Sequence, residues 1–288
     1  MNIQRFINVR KQRGLSQSEL AAGICTQATL SRFENNGQVP SLKILIQLCN
    51  RLGLPIGELF PKVGIRQPEL SSKMDQAEFF LITSEYQQLA DILAGIPVDT
   101  IEDPFLKFSY YYLQGFVMIF QKAAITDILF TFDKLLLMEK EHKNPIFQLL
   151  ALTGSGMAYS RDGDIEKAEF YFEQVFENIF NYSIETTEDT WRVLNIVFHC
   201  GEFYGEHQEF ATSNALLEYA ITICSDNHVT YYLARAAYQL AVNAVCEQQP
   251  KTEINERLAD AKAYAKINRN RILLDKIAKL QKQINTQQ

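Results

Sequence analysis

The chain has 288 residues, of which 47% are hydrophobic and 22% are charged, as in an ordinary soluble globular protein. That length favours two domains, because a single core rarely grows beyond about 250–300 residues. The net charge of −6 excludes a uniformly basic nucleic-acid-binding chain. Residues 1–66, however, carry nine basic and three acidic residues, a net of +6, whereas residues 67–288 carry nineteen and thirty-one, a net of −12. This split predicts phosphate contact through the first segment only.

The five cysteines are odd in number and none has CxxC spacing, so we expect reduced thiols and neither a metal nor a cofactor. Polar residues follow Met1 at once, which argues against a signal peptide. The longest apolar runs fall short of a bilayer span. A cytoplasmic location is therefore expected.

The first segment is predicted to open with a helix from Ile3 to Arg13, which Gly14 ends. Ser16 and Glu19 then have the spacing of a capping box, in which each side chain bonds a free backbone amide at the start of a second helix. Gly23 permits a sharp turn after that helix. Two short helices joined by a tight turn are thus expected.

A third helix is predicted from Gln27 to Asn35, with Thr26 as its N-cap. Leu30 and Phe33 are its expected buried positions. The opposite side of the helix carries Gln27, Ala28, Ser31 and Arg32.

A fourth helix is predicted to start after Ser41 and to end at Gly53, and a short fifth helical turn is predicted for residues 56–60. The expected apolar stripe of the fourth helix is Leu42, Leu45, Leu48, Cys49 and Leu52. Five helices in about sixty residues are the size of a single DNA-binding module.

Residues 1–60 resemble the helix-turn-helix family of phage repressors and xenobiotic-response-element regulators. The matching motifs are RxxRGLSQxEL, the turn at Gly23, SRFEN and PSLxxLxxLxxxLGxxxxELF. The resemblance implies that the third helix enters the major groove, with Gln27 and Arg32 reading bases and Ala28 and Thr29 near thymine methyls. Glu34 is expected to form a bond inside the domain. Phosphate contacts are expected from Gln17, Thr26, Ser31, Arg10, Lys11, Arg13 and Lys43. For Arg10, Lys11 and Lys43, the sequence fits equally well with side chains that are simply exposed to solvent and do not contact DNA.

Residues 61–70, PKVGIRQPEL, contain two prolines and a glycine without apolar periodicity, which predicts a domain boundary. We expect a DNA-binding domain at 1–62, a linker at 63–72 and a repeat domain at 73–288. Helical patterns continue to the end without strand alternation, so the predicted fold class is all-α: a five-helix helix-turn-helix domain followed by an α-solenoid.

The second domain contains helix pairs with tetratricopeptide-like spacing. In residues 151–176, Gly156 and Phe172 flank an Asp-Gly-Asp turn, and Gly201 and Leu217 take similar places in residues 198–224. Small residues let two helices approach closely while large ones fill the space beside them. Weaker pairs are predicted at 74–96, 104–139 and 231–265, and a capping helix at 269–284 with Ile272, Leu273, Ile277, Leu280 and Ile284 on its packed face.

Stacked helix pairs form a concave surface that suits an extended peptide, and its inner wall comes from the first helix of each pair. Side-chain amides there can pair with both polar groups of a bound backbone. Asn195 and Asn243 are equally able to face solvent or bond a neighbouring helix. The candidate peptide-binding residues are Thr153, Asn195, Phe198, His199, Glu202, Arg235, Gln239 and Asn243.

The two predicted domains together resemble the Rgg/PlcR (RRNPP) group of regulators from low-GC Gram-positive bacteria, most sharply in the run GICTQATLSR. The resemblance implies a homodimeric transcription regulator that binds paired double-stranded DNA half-sites and senses a short signalling peptide in quorum sensing.

The sequence contains no catalytic motif such as HExxH, GxSxG or a P-loop, so an enzyme is not expected. Two alternatives to a peptide sensor stay open. One is a repressor whose helical domain only dimerises or binds a protein partner, and the other is an interaction scaffold for which DNA binding is secondary.

Overall fold

The computed structural model describes residues 3–54, 59, 67–142 and 144–286. These residues form fifteen α-helices and one short 3₁₀ turn, and they contain no β-strand. The all-α prediction is confirmed. The chain divides into two compact units, Met1–Ser71 and Ser72–Gln288.

Four helices of the first unit follow the predicted order: α1 (Ile3–Gln12), α2 (Gln17–Ala21), α3 (Gln27–Asn36) and α4 (Leu42–Leu52). The Ser16–Glu19 capping box is present, and the side chain of Thr26 accepts a hydrogen bond from the Thr29 amide. Gly23 has a φ of +73°, a left-handed conformation that L side chains rarely adopt. The local signals in the sequence therefore predicted these boundaries to within one residue.

The core of this unit is built from the apolar stripes of all four helices. Phe6 of α1 and Phe33 of α3 meet edge to face with their ring centroids 5.1 Å apart. Leu59 also lies in this core, but the rest of the predicted fifth helical turn at 56–60 lies outside the described residues. The prediction was wrong for Leu42, which is 62% exposed because it is the first residue of α4 and faces away from the core.

The second unit continues as eleven described helices that run to the carboxyl end. They are α5 (Pro68–Ile82), α6 (Tyr86–Ala94), α7 (Pro104–Phe120), α8 (Ile125–His142), α9 (Pro145–Asp162), α10 (Ile165–Ile179), α11 (Thr187–Glu206), α12 (Phe210–Asp226), α13 (Tyr231–Cys246), α14 (Lys251–Ile267) and α15 (Arg271–Thr286). Sequential helices pack as pairs (α7 with α8, α9 with α10, α11 with α12 and α13 with α14), and α9 and α13 both pack on α11. This is the tetratricopeptide-like stacking that the sequence predicted.

Glycines allow the helices of a pair to approach. A Cβ at Gly156 would lie 3.0 Å from the ring of Phe172, and one at Gly201 would lie 3.0 Å from Leu217. The repeat spacing predicted close helix approach at both glycines, and the structure shows which side chains they contact. The structure adds Phe132, whose ring fits against Gly154 and so holds α8 against α9.

The boundary between the domains is only partly described. Helix α5 begins at Pro68, inside the predicted linker 63–72, so residues 68–72 are helical. Residues 63–66 lie outside the described residues, and the predicted limits of the domains stay a prediction.

A buried ion pair fixes α5 to the middle of the repeat domain. The guanidinium of Arg192 on α11 donates to both carboxylate oxygens of Glu78 on α5, at 2.9 Å each. Both side chains are less than 5% exposed, and the Arg192 guanidinium also lies over the rings of Phe105 and Phe147. A paired, stacked guanidinium can be buried because its partners replace the lost solvation.

None of the helices that the structure describes combines the length and apolarity needed to span a membrane.

Candidate functional site

Helix α3 presents a polar face to solvent. Leu30 and Phe33 are completely buried in the core, and this anchors the orientation of the helix. Gln27, Ala28 and Arg32 are exposed on the other side. Because α2 and α3 are joined by the tight turn at Gly23, they have the order and spacing of a helix-turn-helix, whose second helix is the element that enters the major groove.

A chain of hydrogen bonds links this face to the core. The amide nitrogen of Gln27 donates to the amide oxygen of Gln17 at 2.8 Å, and the amide nitrogen of Gln17 donates to Glu34 at 2.8 Å. Glu34 in turn accepts two hydrogen bonds from Arg10, at 2.6 and 2.7 Å. Gln17 thus orients the side chain of Gln27 through its amide nitrogen, and the amide oxygen of Gln27 takes no part in this chain of hydrogen bonds.

The buried pair of Arg10 and Glu34 confirms the expectation that Glu34 bonds within the domain. Arg10 is 8% exposed and also donates to the carbonyl of Leu15 at 2.7 Å. Its hydrogen bond to Glu34, opposed by burial, raises the pKa of Arg10. Since all of these contacts are internal, we leave Arg10 out of the proposed phosphate contacts.

The other predicted phosphate contacts differ in accessibility. Lys11, Arg13, Thr26 and Lys43 are exposed. Thr29 and Ser31 of α3 are half-buried, and Gln17 is half-buried within the hydrogen-bond chain. Every predicted position except Arg10 therefore has surface available to a ligand.

The second unit contains a cavity of about 550 Å³. Its walls come from α6, α7, α11, α13 and α15, which include the first helices of three pairs. The lining residues are Ser84, Tyr86, Phe120, Phe198, Glu202, Arg235, Tyr238, Gln239, Asn270, Ile272, Leu273 and Lys276.

Four of the eight predicted groove residues line this cavity: Phe198, Glu202, Arg235 and Gln239. They share two helix faces, α11 and α13, which the structure brings together. The other four, Thr153, Asn195, His199 and Asn243, are at most 2% exposed.

The side chains of those four residues are engaged in packing between or along helices. Asn243 donates to Ser213 and to Asn214, both at 2.8 Å, and Asn195 donates to the hydroxyl of Tyr232 at 3.1 Å. The hydroxyl of Thr153 donates to the carbonyl one turn earlier, at 2.8 Å. The interhelical alternative that the sequence left open for Asn195 and Asn243 is thus the one found.

His199 acts on the cavity indirectly. Its Nδ1 lies 3.0 Å from the carboxylate of Glu202, and its ring lies beside Phe116 and Phe120. Burial lowers the pKa of His199, and the hydrogen bond to Glu202 opposes that effect only in part. The imidazole of His199 is therefore neutral at about pH 7, and its hydrogen bond orients the carboxylate of Glu202 within the cavity.

Sequence reasoning missed the part of the lining that comes from distant segments. Tyr86 of α6 stacks on Phe120 of α7 with ring centroids 4.1 Å apart, and α15 contributes Ile272 and Lys276. Ile272 was predicted to lie on the packed face of α15, but it is 54% exposed at the cavity. The packed face of α15 is instead formed by Leu273, Ile277 and Ile284, with Leu274 and Leu280 partly buried against the same core.

The fold and these two sites define a class of protein: a helix-turn-helix domain joined to a tetratricopeptide-like repeat domain that encloses a cavity. Residues 7–59 match the family model described as Helix-turn-helix. Comparison with curated protein sequences gives no match.

Solved structures share the fold over almost the whole chain. PlcR of Bacillus thuringiensis, in complex with the peptide PapR7 and DNA, is 16% identical with a TM-score of 0.65, covering 96% of this chain and 98% of that one. ComR of S. thermophilus, in complex with DNA and its signalling peptide ComS, is 16% identical with a TM-score of 0.57, covering 96% and 97%. PlcR in its apo form has a TM-score of 0.58 at 16% identity, covering 96% and 98%. The two-part fold expected from the resemblance to the Rgg/PlcR group is confirmed.

Proposed function

We propose that this protein is a sequence-specific DNA-binding transcription regulator controlled by a short signalling peptide that binds in the repeat-domain cavity. One observation carries the proposal: the same chain joins an exposed α3 face, oriented by internal hydrogen bonds, to a second domain with a polar and aromatic cavity of about 550 Å³. The similar folds of PlcR and ComR, each solved with DNA and a peptide, support both halves.

The DNA half rests on the geometry of α3. Gln27 and Arg32 have the donor and acceptor groups that read adenine and guanine edges, and the exposed methyl of Ala28 suits a thymine methyl. Lys11, Arg13 and Lys43 are exposed cations in the segment that carries the net charge of +6. In DNA recognition, contacts to bases give sequence specificity and contacts to phosphates position the protein. We assign the first role to α3 and the second to the cations around it.

The peptide half rests on the chemistry of the cavity. Aromatic rings of Tyr86, Phe120 and Phe198 offer apolar contact, whereas Gln239 and Asn270 offer amide groups for a peptide backbone. A volume of about 550 Å³ accommodates part of a short peptide. This combination favours a peptide over a cofactor with fixed polar geometry.

The route from the peptide to DNA is proposed to pass through α11 and α5. Phe198 and Glu202 of the cavity lie on α11. Arg192 of the same helix donates two hydrogen bonds to Glu78 of α5, the helix that begins within the predicted linker. A ligand that binds two arrangements of these helices unequally shifts the population between them. The change in α5 would then alter how the DNA-binding domains of a homodimer are spaced.

Exposed aromatic and aliphatic side chains favour a homodimer. Phe130 and Leu137 of α8 are 62% and 61% exposed, and Phe170 and Phe180 of the α10 region are 57% and 62% exposed. Contiguous apolar patches mark interaction sites, and we propose that these side chains contribute to one. A dimer would place two α3 helices on paired half-sites, as symmetric regulators do.

Selection of duplexes from a random DNA pool, at low salt and then at physiological salt, tests the DNA half. The proposal expects a recurrent half-site that wild type selects and that an Arg32→Ala variant no longer enriches. Recovery of only random sequences by both proteins would overturn it. Addition of a synthetic peptide pool to the selected duplex complex tests control: a change in DNA affinity supports the peptide sensor, and no change favours the regulator without a peptide ligand.

A further inference from the structure

The repeat-domain cavity contains a cation, Arg235, that lies against aromatic rings and interacts with the carboxylate of Glu202 only through its charge. The Arg235 guanidinium makes no hydrogen bond or ion pair with any residue that the structure describes. Its contacts are aromatic: the guanidinium carbon lies 4.2 Å from the ring centroid of Phe198 and 5.3 Å from that of Tyr232. Arg235 is half-buried and lines the cavity, so a ligand in that space would lie beside its side chain.

The other charged groups of the lining leave a positive excess. Lys276 of α15 also lines the cavity and makes no hydrogen bond or ion pair within the described part of the chain. Glu202 is the one acidic residue in the lining, and one of its oxygens is already engaged with His199 at 3.0 Å. Two cations face a single carboxylate, so the lining carries one surplus positive charge.

The guanidinium of Arg235 is set up for a planar anion. Its contact with Phe198, at 4.2 Å from the ring centroid, leaves the fork of N–H donors without a hydrogen-bond partner among the described residues. A carboxylate matches that fork with two parallel, charge-assisted hydrogen bonds. Removing such a cation from water is costly when it has no partner, and a bound anion removes that cost.

We propose that Arg235, assisted by Lys276, is the anchor for a carboxylate group of the ligand. The inference rests on the proposed peptide control and specifies its ligand: a peptide with a free C-terminal carboxylate, or with an aspartate or glutamate side chain, at the position beside Arg235. Glu202, held by His199, lies in the same cavity and takes an amide or ammonium group of the ligand.

Two synthetic peptide pools distinguish the carboxylate sources. Both are randomised heptapeptides; one lacks Asp and Glu but keeps the free C-terminus, and the other contains Asp and Glu but is amidated. The immobilised full-length protein is incubated with each pool, and the retained peptides are identified by mass spectrometry. Retention from the first pool identifies the C-terminal carboxylate, and enrichment of acidic residues from the second identifies a side chain.

Arg235→Gln is expected to weaken retention of those peptides by about 10- to 100-fold, the effect of losing hydrogen bonds to a charged group. Arg235→Lys keeps the charge but not the fork, and should recover only part of the binding. Arg257→Gln, on α14 outside the cavity lining, is the matched control and should bind as wild type does. Thermal unfolding of each variant establishes that it is folded.

A third pool, amidated and free of acidic residues, should be retained poorly by wild type. Retention of this pool as strong as that of the first two, or undiminished retention of the first two pools by Arg235→Gln, would overturn the carboxylate anchor while leaving peptide binding intact. Failure of wild type to retain any peptide from the three pools would count against the proposed peptide control itself, and with it against the anchor.

Discussion

The amide nitrogen of Gln27 lies 2.8 Å from the amide oxygen of Gln17, and this hydrogen bond joins the first residue of α3 to the first residue of α2. Gln17 is held in turn by Glu34, whose carboxylate is fixed by Arg10. A side chain on the proposed DNA-reading surface is therefore oriented by a buried ion pair behind it. Pre-organisation of this kind lowers the entropy that binding has to overcome.

Gln17→Ala is expected to weaken binding to the selected half-site by about 1 kcal/mol, the typical contribution of one hydrogen bond. The reason is that Gln27 loses the partner that orients its amide. Fluorescence anisotropy with the selected duplex and with a scrambled duplex measures the effect. Only the selected duplex should lose affinity, and an equal loss on both would mean that Gln17 contacts phosphate directly.

Arg32→Ala is expected to cost about 1–3 kcal/mol on the selected half-site and to relax the choice of base at one position, because a guanidinium reads a base edge. Lys43→Ala, an exposed cation at the start of α4, should instead weaken all duplexes alike. It should also reduce the slope of log affinity against log salt by about one. Salt titrations with the selected and the scrambled duplex measure both effects. If Arg32→Ala weakened all duplexes alike and Lys43→Ala weakened only the selected one, the two roles would have to be exchanged.

The helix-turn-helix was predictable because its determinants are local. The Ser16–Glu19 capping box, the Thr26 cap and the left-handed Gly23 each act within a few residues, so their meaning can be read from spacing alone. The same holds for Gly156 and Gly201, whose repeat spacing predicted the close helix approach.

The cavity was only half predictable because its walls come from distant parts of the sequence. The faces of α11 and α13 follow from the repeat, and the predicted groove residues Phe198 and Arg235 on these helices line the cavity. The contribution of Tyr86 and Lys276 depends on where the terminal helices of the repeat domain close against the centre, and no local pattern records that. Nor does a local pattern show that the amide nitrogen of Asn243 donates to Ser213 and Asn214 and is therefore not available to a ligand.

Arg192→Leu is expected to lower the free energy of unfolding of the repeat domain by about 3–5 kcal/mol, because the buried carboxylate of Glu78 is left without its partner. The double variant Glu78→Leu/Arg192→Leu should recover much of that loss, since no charge stays buried. Chemical denaturation of the four proteins of this cycle gives the coupling. Additive losses would show that the pair is not energetically linked.

Gly205→Ala tests the close approach of α11 to α12 and α13. An added Cβ would lie 2.7 Å from the side-chain oxygen of Asn243 and 2.9 Å from that of Ser213, so the hydrogen-bonded group has to shift. We expect a loss of about 1–3 kcal/mol in thermal or chemical unfolding, typical of overpacking. Gly95→Ala, whose Cβ would meet only ordinary contacts at 3.5 Å and beyond, is the control and should be close to neutral. A neutral Gly205→Ala would contradict the tight packing.

The buried His199 is expected to make stability fall in mild acid. Burial lowers the pKa of His199 below its usual value of 6.5, so below about pH 6.5 the unfolded chain takes up a proton that the folded protein excludes. The stabilisation that comes from the neutral His199 is complete above that pH, and it is lost as the pH falls toward the lower pKa of the folded state. The free energy of unfolding should therefore decrease as the pH is lowered from about 6.5 toward 5.5.

His199→Gln should remove this pH dependence, because glutamine keeps a hydrogen-bonding group beside Glu202 but does not titrate. His228→Asn is the matched control for the loss of an imidazole outside the cavity: His228 is exposed and has a φ of +56°, which asparagine tolerates. The free energy of unfolding of the three proteins, measured by urea denaturation from about pH 7.5 to 5.5, separates these outcomes. An unchanged slope in His199→Gln would mean that His199 takes up its proton in the folded protein as readily as in the unfolded chain, and the imidazole beside Glu202 would then be charged in the cavity at mildly acidic pH.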